Sequence, residues 1–316
     1  MRIRPKRRGS RPRTKRRPEH ADATPAMVVA VDRGRWTCAP HGDPQLRVIA
    51  MRARELGRTP VVVGDRVGLV GDLTGKSDAL ARIVRVEKRS SVLRRTADDT
   101  DPYERIVVAN AEQLVIVASL ADPPPRTGLI DRCLVAGYAG GLQPVLCLTK
   151  RDLASPDAVL ELYRALDLPV LVTAPDAGIE AVRGRLAGRV SVLVGHSGVG
   201  KSTLVNRLVP EASRATAAVS GSGKGRHTSS SAVALPLPGG GWVVDTPGIR
   251  SFGLAHVRAD DVVRAFADLA EVVANCPRGC THLGPPADPE CALDELSGVA
   301  ARRVRSVRRL LAALEP

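Results

Sequence analysis

With 316 residues, 44% apolar but only 2% aromatic, the chain can bury more than one core, built from Val, Leu, Ala and Ile instead of rings. Its formal charge of +14 is lopsided: ten Lys or Arg against Glu19 in the first twenty residues account for +9, a polyanion-seeking end on a nearly balanced body. No apolar run reaches the roughly 18–20 residues of a membrane span and the N-terminus has no apolar signal core. The composition therefore argues against a membrane-spanning or secreted protein and points to the cytoplasm, an Arg-rich organelle transit peptide being the competing reading of the tail. The six Cys agree: Cys38, Cys133 and Cys147 stand singly among apolar residues, while Cys276, Cys280 and Cys291 cluster, so a disulfide framework is excluded as well.

Residues 1–25 are expected to be disordered, because Pro and like charges oppose a packed core. From 26 to 98, MVVAVD, QLRVIAM, VVVGDRVGLV and LARIVRVEK are β-branched runs punctuated by turn residues, predicting a small β-barrel of the OB type; a generic small sandwich is the competing reading. Over 99–255 apolar strands alternate with helical stretches, the signature of a parallel α/β sheet. EQLVIVASL, PVLCLTK, PVLVTA, SVLVG and WVVD read as strands. TGLIDRCLVAGYAGG, SPDAVLELYRAL (capped by Ser155) and KSTLVNRL read as helices. From 256 to 316 no strand pattern recurs, and a helical region encloses a Cys/His cluster.

The stretch GHSGVGKST, comprising Gly195, His196, Ser197, Gly198, Val199, Gly200, Lys201, Ser202 and Thr203, fits the phosphate-loop pattern G-x-x-x-x-G-K-S/T between a strand and a helix. Its backbone N–H groups can cradle phosphate oxygens, Lys201 can reach the terminal phosphates, and Ser202 can offer a hydroxyl to Mg²⁺. Downstream, DTPG places Asp245 for Mg²⁺ and the Gly248 N–H for a γ-phosphate. Between them GSGKGRHTSSS carries Thr228 and Ser229, either of which could complete the Mg²⁺ shell.

A phosphate loop does not choose a base. That task fits Thr149, Lys150, Arg151 and Asp152, the TKRD at the end of PVLCL. Asp152 can accept from guanine's N1 and N2 donors, the Lys150 stem can lie along the ring, and a backbone N–H near Thr173 and Ala174 can meet O6. These residues precede the phosphate loop, so the motif order is a circular permutation of the usual GTPase order. All the loops can still meet at one edge of a parallel sheet.

The four residues Cys276, Cys280, His282 and Cys291 form a Cys₃His set suited to one structural tetrahedral Zn²⁺. The last helix alternates Arg302, Arg303, Arg305, Arg308 and Arg309 with Val304, Val307, Leu310 and Leu311. One face should pack; the other should meet solvent or RNA phosphate.

From about Ala26 to Ala301 the chain closely resembles the small-subunit-dependent ribosome biogenesis GTPase family, RsgA. The likeness rests on VVGDRV, RSSVLRR, IVVANAEQLVIVAS, GHSGVGKSTLVNRL, GKGRHTSSS and DTPGIRSFGL. The resemblance implies an OB-fold domain, a circularly permuted GTPase domain and a C-terminal zinc-binding domain. It also implies GTP hydrolysis to GDP stimulated by the small ribosomal subunit, with binding to that subunit and its rRNA during late maturation; the free protein is expected to be monomeric. Thr149 departs from the commoner Asn. Ile249 stands where Ras-like enzymes have the Gln that orients water, so intrinsic turnover should be slow. His227, beside the switch hydroxyls, is the candidate to position that water in the hydrolytic step, with Lys201, Thr228 and Ser229; its alternatives are shaping the loop or meeting RNA.

Overall fold

A computed structural model describes residues 20–57, 59–99, 101, 103–210, 232–246 and 252–314. The basic tail, apart from its last few residues, and the segment carrying His227, Thr228 and Ser229 lie outside them, as does Gly248.

The first strand, β1 (Thr24–Asp32), is buried without interruption from Ala26 to Ala30. Side chains alternate across a strand, and here each face meets its own core: Ala26 and Val28 pack inside a barrel, while Met27 and Val29 join the main core of the molecule. β2 (Arg35–Pro40), β3 (Val48–Arg52), β4 (Arg66–Gly71) and β5 (Ala81–Val86) complete the barrel in the order β1-β2-β3-β5-β4, closed by the β1–β4 pairing. Closure leaves no free edge within the ring. β2, RWTCAP, is absent from the runs read as strands, because Arg35, Thr37 and Pro40 break its apolar pattern; antiparallel partners on both sides make it one.

Barrel and remainder meet at the GDRV turn. Gly64 has a φ of 87°, and a Cβ there would lie 2.0 Å from the Ala109 carbonyl oxygen, so both conformation and space demand glycine. Asp65, fully buried, takes a bidentate bond from Arg89 at 2.7 and 2.8 Å and accepts the Val62 N–H at 2.8 Å. A buried carboxylate needs such complete pairing. β6 (Val92–Arg95) and β7 (Arg105–Ala109) form a separate antiparallel pair that leads onward.

The α/β sheet comprises β8 (Gln113–Ser119), β9 (Gln143–Thr149), β10 (Val170–Val172), β11 (Val190–Val194), β12 (Val233–Pro236) and β13 (Trp242–Asp245). Its order is β10-β9-β8-β11-β13-β12, parallel except for the β12–β13 hairpin. β12 then pairs antiparallel with β1 through Ala30 and Val233, so barrel and α/β unit share one eleven-stranded sheet. The helices are α1 (Thr127–Ala139), α2 (Asp157–Tyr163), α3 (Ile179–Leu186) and α4 (Lys201–Leu208). The Ser155 hydroxyl accepts the Asp157 N–H at 3.3 Å at the start of α2.

The C-terminal region holds α5 (Ala259–Arg264), α6 (Ala267–Val273) and α7 (Gly298–Ala312). Both phenylalanines of the chain, Phe252 and Phe266, are buried here in the core shared with the α/β unit. The expectation that the α7 arginines face outward is corrected for Arg303, which is 2% exposed. Its fork donates to Asp268 of α6 and to the Leu162 carbonyl of α2, partners that a helical wheel cannot reveal.

Candidate functional site

The carboxyl ends of β9, β11 and β13 lie on one edge of the sheet because those strands run parallel. Each delivers a motif there. β11 ends at Val194 and enters the glycine loop, where Gly198 and Gly200 take φ values of 85° and 87° before α4 begins at Lys201. Those left-handed steps let successive backbone N–H groups turn inward at a helix N-terminus, the geometry that binds phosphate.

β9 ends at Thr149, which is buried and donates its hydroxyl to the Val199 carbonyl at 2.6 Å. The TKRD segment is thus bonded to the phosphate loop 50 residues later in the chain. Thr149 ties the two loops together. Lys150 has a φ of 60° and its ammonium donates to the Asp122 carbonyl in the loop after β8. Asp152 and Arg151 are exposed, and the Arg151 N–H donates to the Thr173 carbonyl at 3.1 Å.

The Thr173 N–H donates to Leu148 O at 2.8 Å and the Ala174 N–H to Ala177 O at 3.1 Å. The chain folds into a tight turn directly after β10. Arg207 of α4 reinforces that turn by donating to Ala174 O at 2.7 Å.

β13 ends at Asp245. The Lys201 ammonium, 8% exposed, donates to the Asp245 carboxylate and to the Thr246 carbonyl. Thr246 in turn donates its hydroxyl to Leu193 O at 2.6 Å, fastening the strand end to β11. Ser202, Thr203, Ser197 and Gly198 are exposed, and His196 places Nδ1 2.8 Å from Ser197 O. The residues that could hold Mg²⁺ within the described chain are therefore Ser202 and Asp245.

Sequence reasoning missed a clamp just beyond the DTPG segment. Arg132 of α1 donates to both Asp99 oxygens at 2.6 Å and to Phe252 O at 3.2 Å, while Asp99 also accepts the Leu254 N–H at 3.0 Å. Burial pushes the Asp99 carboxyl up, but the Arg132 and Leu254 bonds outweigh it and hold it below the usual carboxylate range. Only the pair DD at 98–99 hinted at it, and acidic pairs are ordinary surface features.

The metal-ligating atoms of Cys276, Cys280, His282 and Cys291 all lie within 4.8 Å of one another. Bonds of about 2.3 Å to sulfur in a tetrahedron put ligand atoms roughly 3.8 Å apart, so the set fits such an ion. Burial, then the neighbouring Cys291 and Cys276 thiols, push the Cys280 thiol up to about 12, a conflict that a divalent cation would remove. Asp288 braces the loop by accepting Thr281 N–H at 3.0 Å, Thr281 Oγ1 at 2.6 Å and Leu283 N–H at 3.0 Å, on either side of His282. Arg308 of α7 donates to the His282 carbonyl at 3.2 Å and to Asp294 at 2.8 Å, tying the cluster to the last helix.

A parallel sheet carrying the base motif and phosphate loop on one edge, with the base motif first in sequence and a β-barrel ahead of both, defines a class: the circularly permuted GTPases. A family model described as RsgA GTPase matches residues 86–255. A protein of Chlorobaculum parvum named small ribosomal subunit biogenesis GTPase RsgA is 38% identical over 270 residues, covering 82% of this chain and 87% of its own. Its namesake from Chlorobaculum tepidum is 39% identical over 269 residues, with 82% and 86% covered. The chain belongs to the RsgA GTPase family. Among solved structures, YjeQ from Thermotoga maritima aligns with a TM-score of 0.69 at 25% identity over 92% of this chain and 98% of that one. YloQ, described as a circularly permuted GTPase, gives 0.67 at 22% identity over 94% and 98% and bears on the fold.

Proposed function

We propose that this chain binds GTP with Mg²⁺ at the edge formed by β9, β11 and β13, hydrolyses it to GDP, and uses that cycle in assembling the small ribosomal subunit, the task its relatives are named for. The observation that carries the reading is the Thr149–Val199 bond, which brings a guanine-type motif and a phosphate loop into contact despite their order in the chain. In this reading the N–H groups from Gly195 to Gly200 cradle phosphates. Asp152, which is exposed, accepts from the guanine edge. Lys201 leaves Asp245 for the terminal phosphates, and Asp245 with Ser202 holds the cation. Mg²⁺ supplies charge neutralisation across the β- and γ-phosphates. Thr228 or Ser229, His227 and Gly248 belong to the same proposal.

The domain division at 26–98, 99–255 and 256–316 goes with it: an OB-type barrel, a phosphate-loop GTPase unit and a helical module around one Zn²⁺. The first and last are proposed to face the subunit and its rRNA, and hydrolysis to release the protein from them. Among the described residues no helix is long and apolar enough to cross a membrane.

Purified small subunits should raise GTP turnover by on the order of 10³-fold, within the range that GTPase activators supply; equal stimulation by large subunits would overturn the subunit assignment. Asp152→Asn should weaken GTP binding roughly 10- to 100-fold, the worth of one bidentate base contact. Xanthosine triphosphate, whose C2 carbonyl can pair with the new amide, should regain affinity. Unchanged base selectivity would remove Asp152 from this role.

A further inference from the structure

A cleft of about 470 Å³ separates α7 from α1 and α2, on a different part of the molecule from the Lys201 site. Five arginines line it, Arg302, Arg303, Arg305, Arg308 and Arg309, against one carboxylate, Asp131. Asp131 offsets part of the charge of Arg303 and Arg309 only. It is 4% exposed and already accepts from Tyr163 Oη at 2.7 Å and from Ser306 Oγ, and burial pushes its carboxyl up.

The arginines are incompletely used. Arg303 commits its terminal nitrogens to Asp268 and Leu162 O, yet its Nε is buried with no partner among the described residues. Arg308 is committed to the metal loop, through Asp294, the His282 carbonyl and the Cys291 thiol, so the free capacity lies with the others. Arg302, Arg305 and Arg309 are exposed and form no ion pair among the described residues. Their spacing sets these three on one stripe of α7 about 10 Å long. Like charges three and four residues apart repel, so the stripe carries an electrostatic cost that a bound anion would relieve.

We propose that this cleft is a phosphate-binding site that takes the sugar–phosphate backbone of RNA. The guanidinium fork matches phosphate geometry, and a stripe of this length can follow more than one phosphate of a chain. No exposed ring lines the cleft to stack on a base, Tyr163 being 3% exposed, so backbone contact without sequence readout is the expected mode. This deepens the ribosomal reading given above, but its test needs no ribosome. Because α7 also holds the metal loop through Arg308 and α1 through Ser306, an occupied cleft would brace the C-terminal region against the GTPase unit.

The test is binding of a fluorescein-labelled RNA hairpin across a KCl series to the full chain and to Arg302→Gln/Arg305→Gln. Both positions are exposed, so folding should be preserved, and unchanged basal GTP turnover verifies it. The double variant should bind at least tenfold more weakly and lose about two units of salt slope, close to one per arginine. Equal affinity and equal slope would overturn the proposal. Displacement of the hairpin by poly-aspartate as readily as by unlabelled RNA would also overturn it, in favour of an acidic protein partner. A cleft that passes this test while small subunits fail to stimulate turnover would leave the site standing and sink only the ribosomal role.

Discussion

Lys201→Ala is expected to lower GTP turnover by about 10²- to 10³-fold, the usual worth of one preorganised group aimed at developing charge, and to abolish tight triphosphate binding. The structure shows where that ammonium sits: buried at the first position of α4, between the Asp245 carboxylate and the Thr246 carbonyl. Nucleotide and cation binding would exchange partners, Lys201 passing to phosphate and Asp245 to Mg²⁺. Alanine removes the phosphate contact and leaves Asp245 without its cation. Asp245 keeps 29% of its side-chain surface in water, so hydration takes over much of the lost pairing and the fold should survive. The check is paired: titration with a fluorescent GTP analogue beside a thermal melt. Turnover within threefold of the unsubstituted chain, with the melt unchanged, would show that Lys201 does not serve the phosphates.

The second large effect concerns the Cys₃His cluster. Structural zinc sites contribute about 10–16 kcal/mol of apparent binding free energy, which is folding free energy for the segment that makes them. Chelation or Cys280→Ser should therefore unfold the loop between Cys276 and Cys291, where Cys291 is the only apolar side chain buried below a tenth of its surface. The loss should stay local. α7 keeps independent anchors in Arg303 with Asp268 and Ser306 with Asp131, and both phenylalanines lie in the shared core. Hydrogen exchange should thus accelerate from about residue 276 to 296 while β8, β9 and β11 stay protected. Acidification should release the metal as the thiolates and imidazole take up protons, and basal GTP turnover should persist. Full protection of the loop after verified metal removal would refute a structural ion.

The motifs of the candidate site were readable from spacing. The phosphate loop, TKRD, DTPG and the Cys₃His set are each short segments whose chemistry is local. β8, β9, β11 and α4 announce themselves because apolar runs of the right length persist whatever surrounds them. Asp65 with Arg89, and Asp99 with Arg132, were not readable, since their partners lie 24 and 33 residues apart. β2 and β12 escaped for a related reason: polar or short sequences become strands when neighbours supply both ladders. The turn that engages the Thr173 and Ala174 N–H groups was not readable either, because a backbone N–H carries no mark in sequence of its partner.

The amino-acid order by itself determined which chemistries the chain owns and their permuted succession along it, because glycine, lysine, cysteine and aspartate at fixed intervals keep their local geometry in any fold. Tertiary structure alone decided that Ala30 and Val233 fuse the barrel and the α/β unit into one sheet, that Thr149 ties the TKRD segment to the glycine loop, and that Arg303 goes inside while Arg302 and Arg305 stay out. The physical reason is common to all three: burial and hydrogen-bond partnership depend on groups far away in sequence, and distance through space is set only when the sheet and its helices close around them.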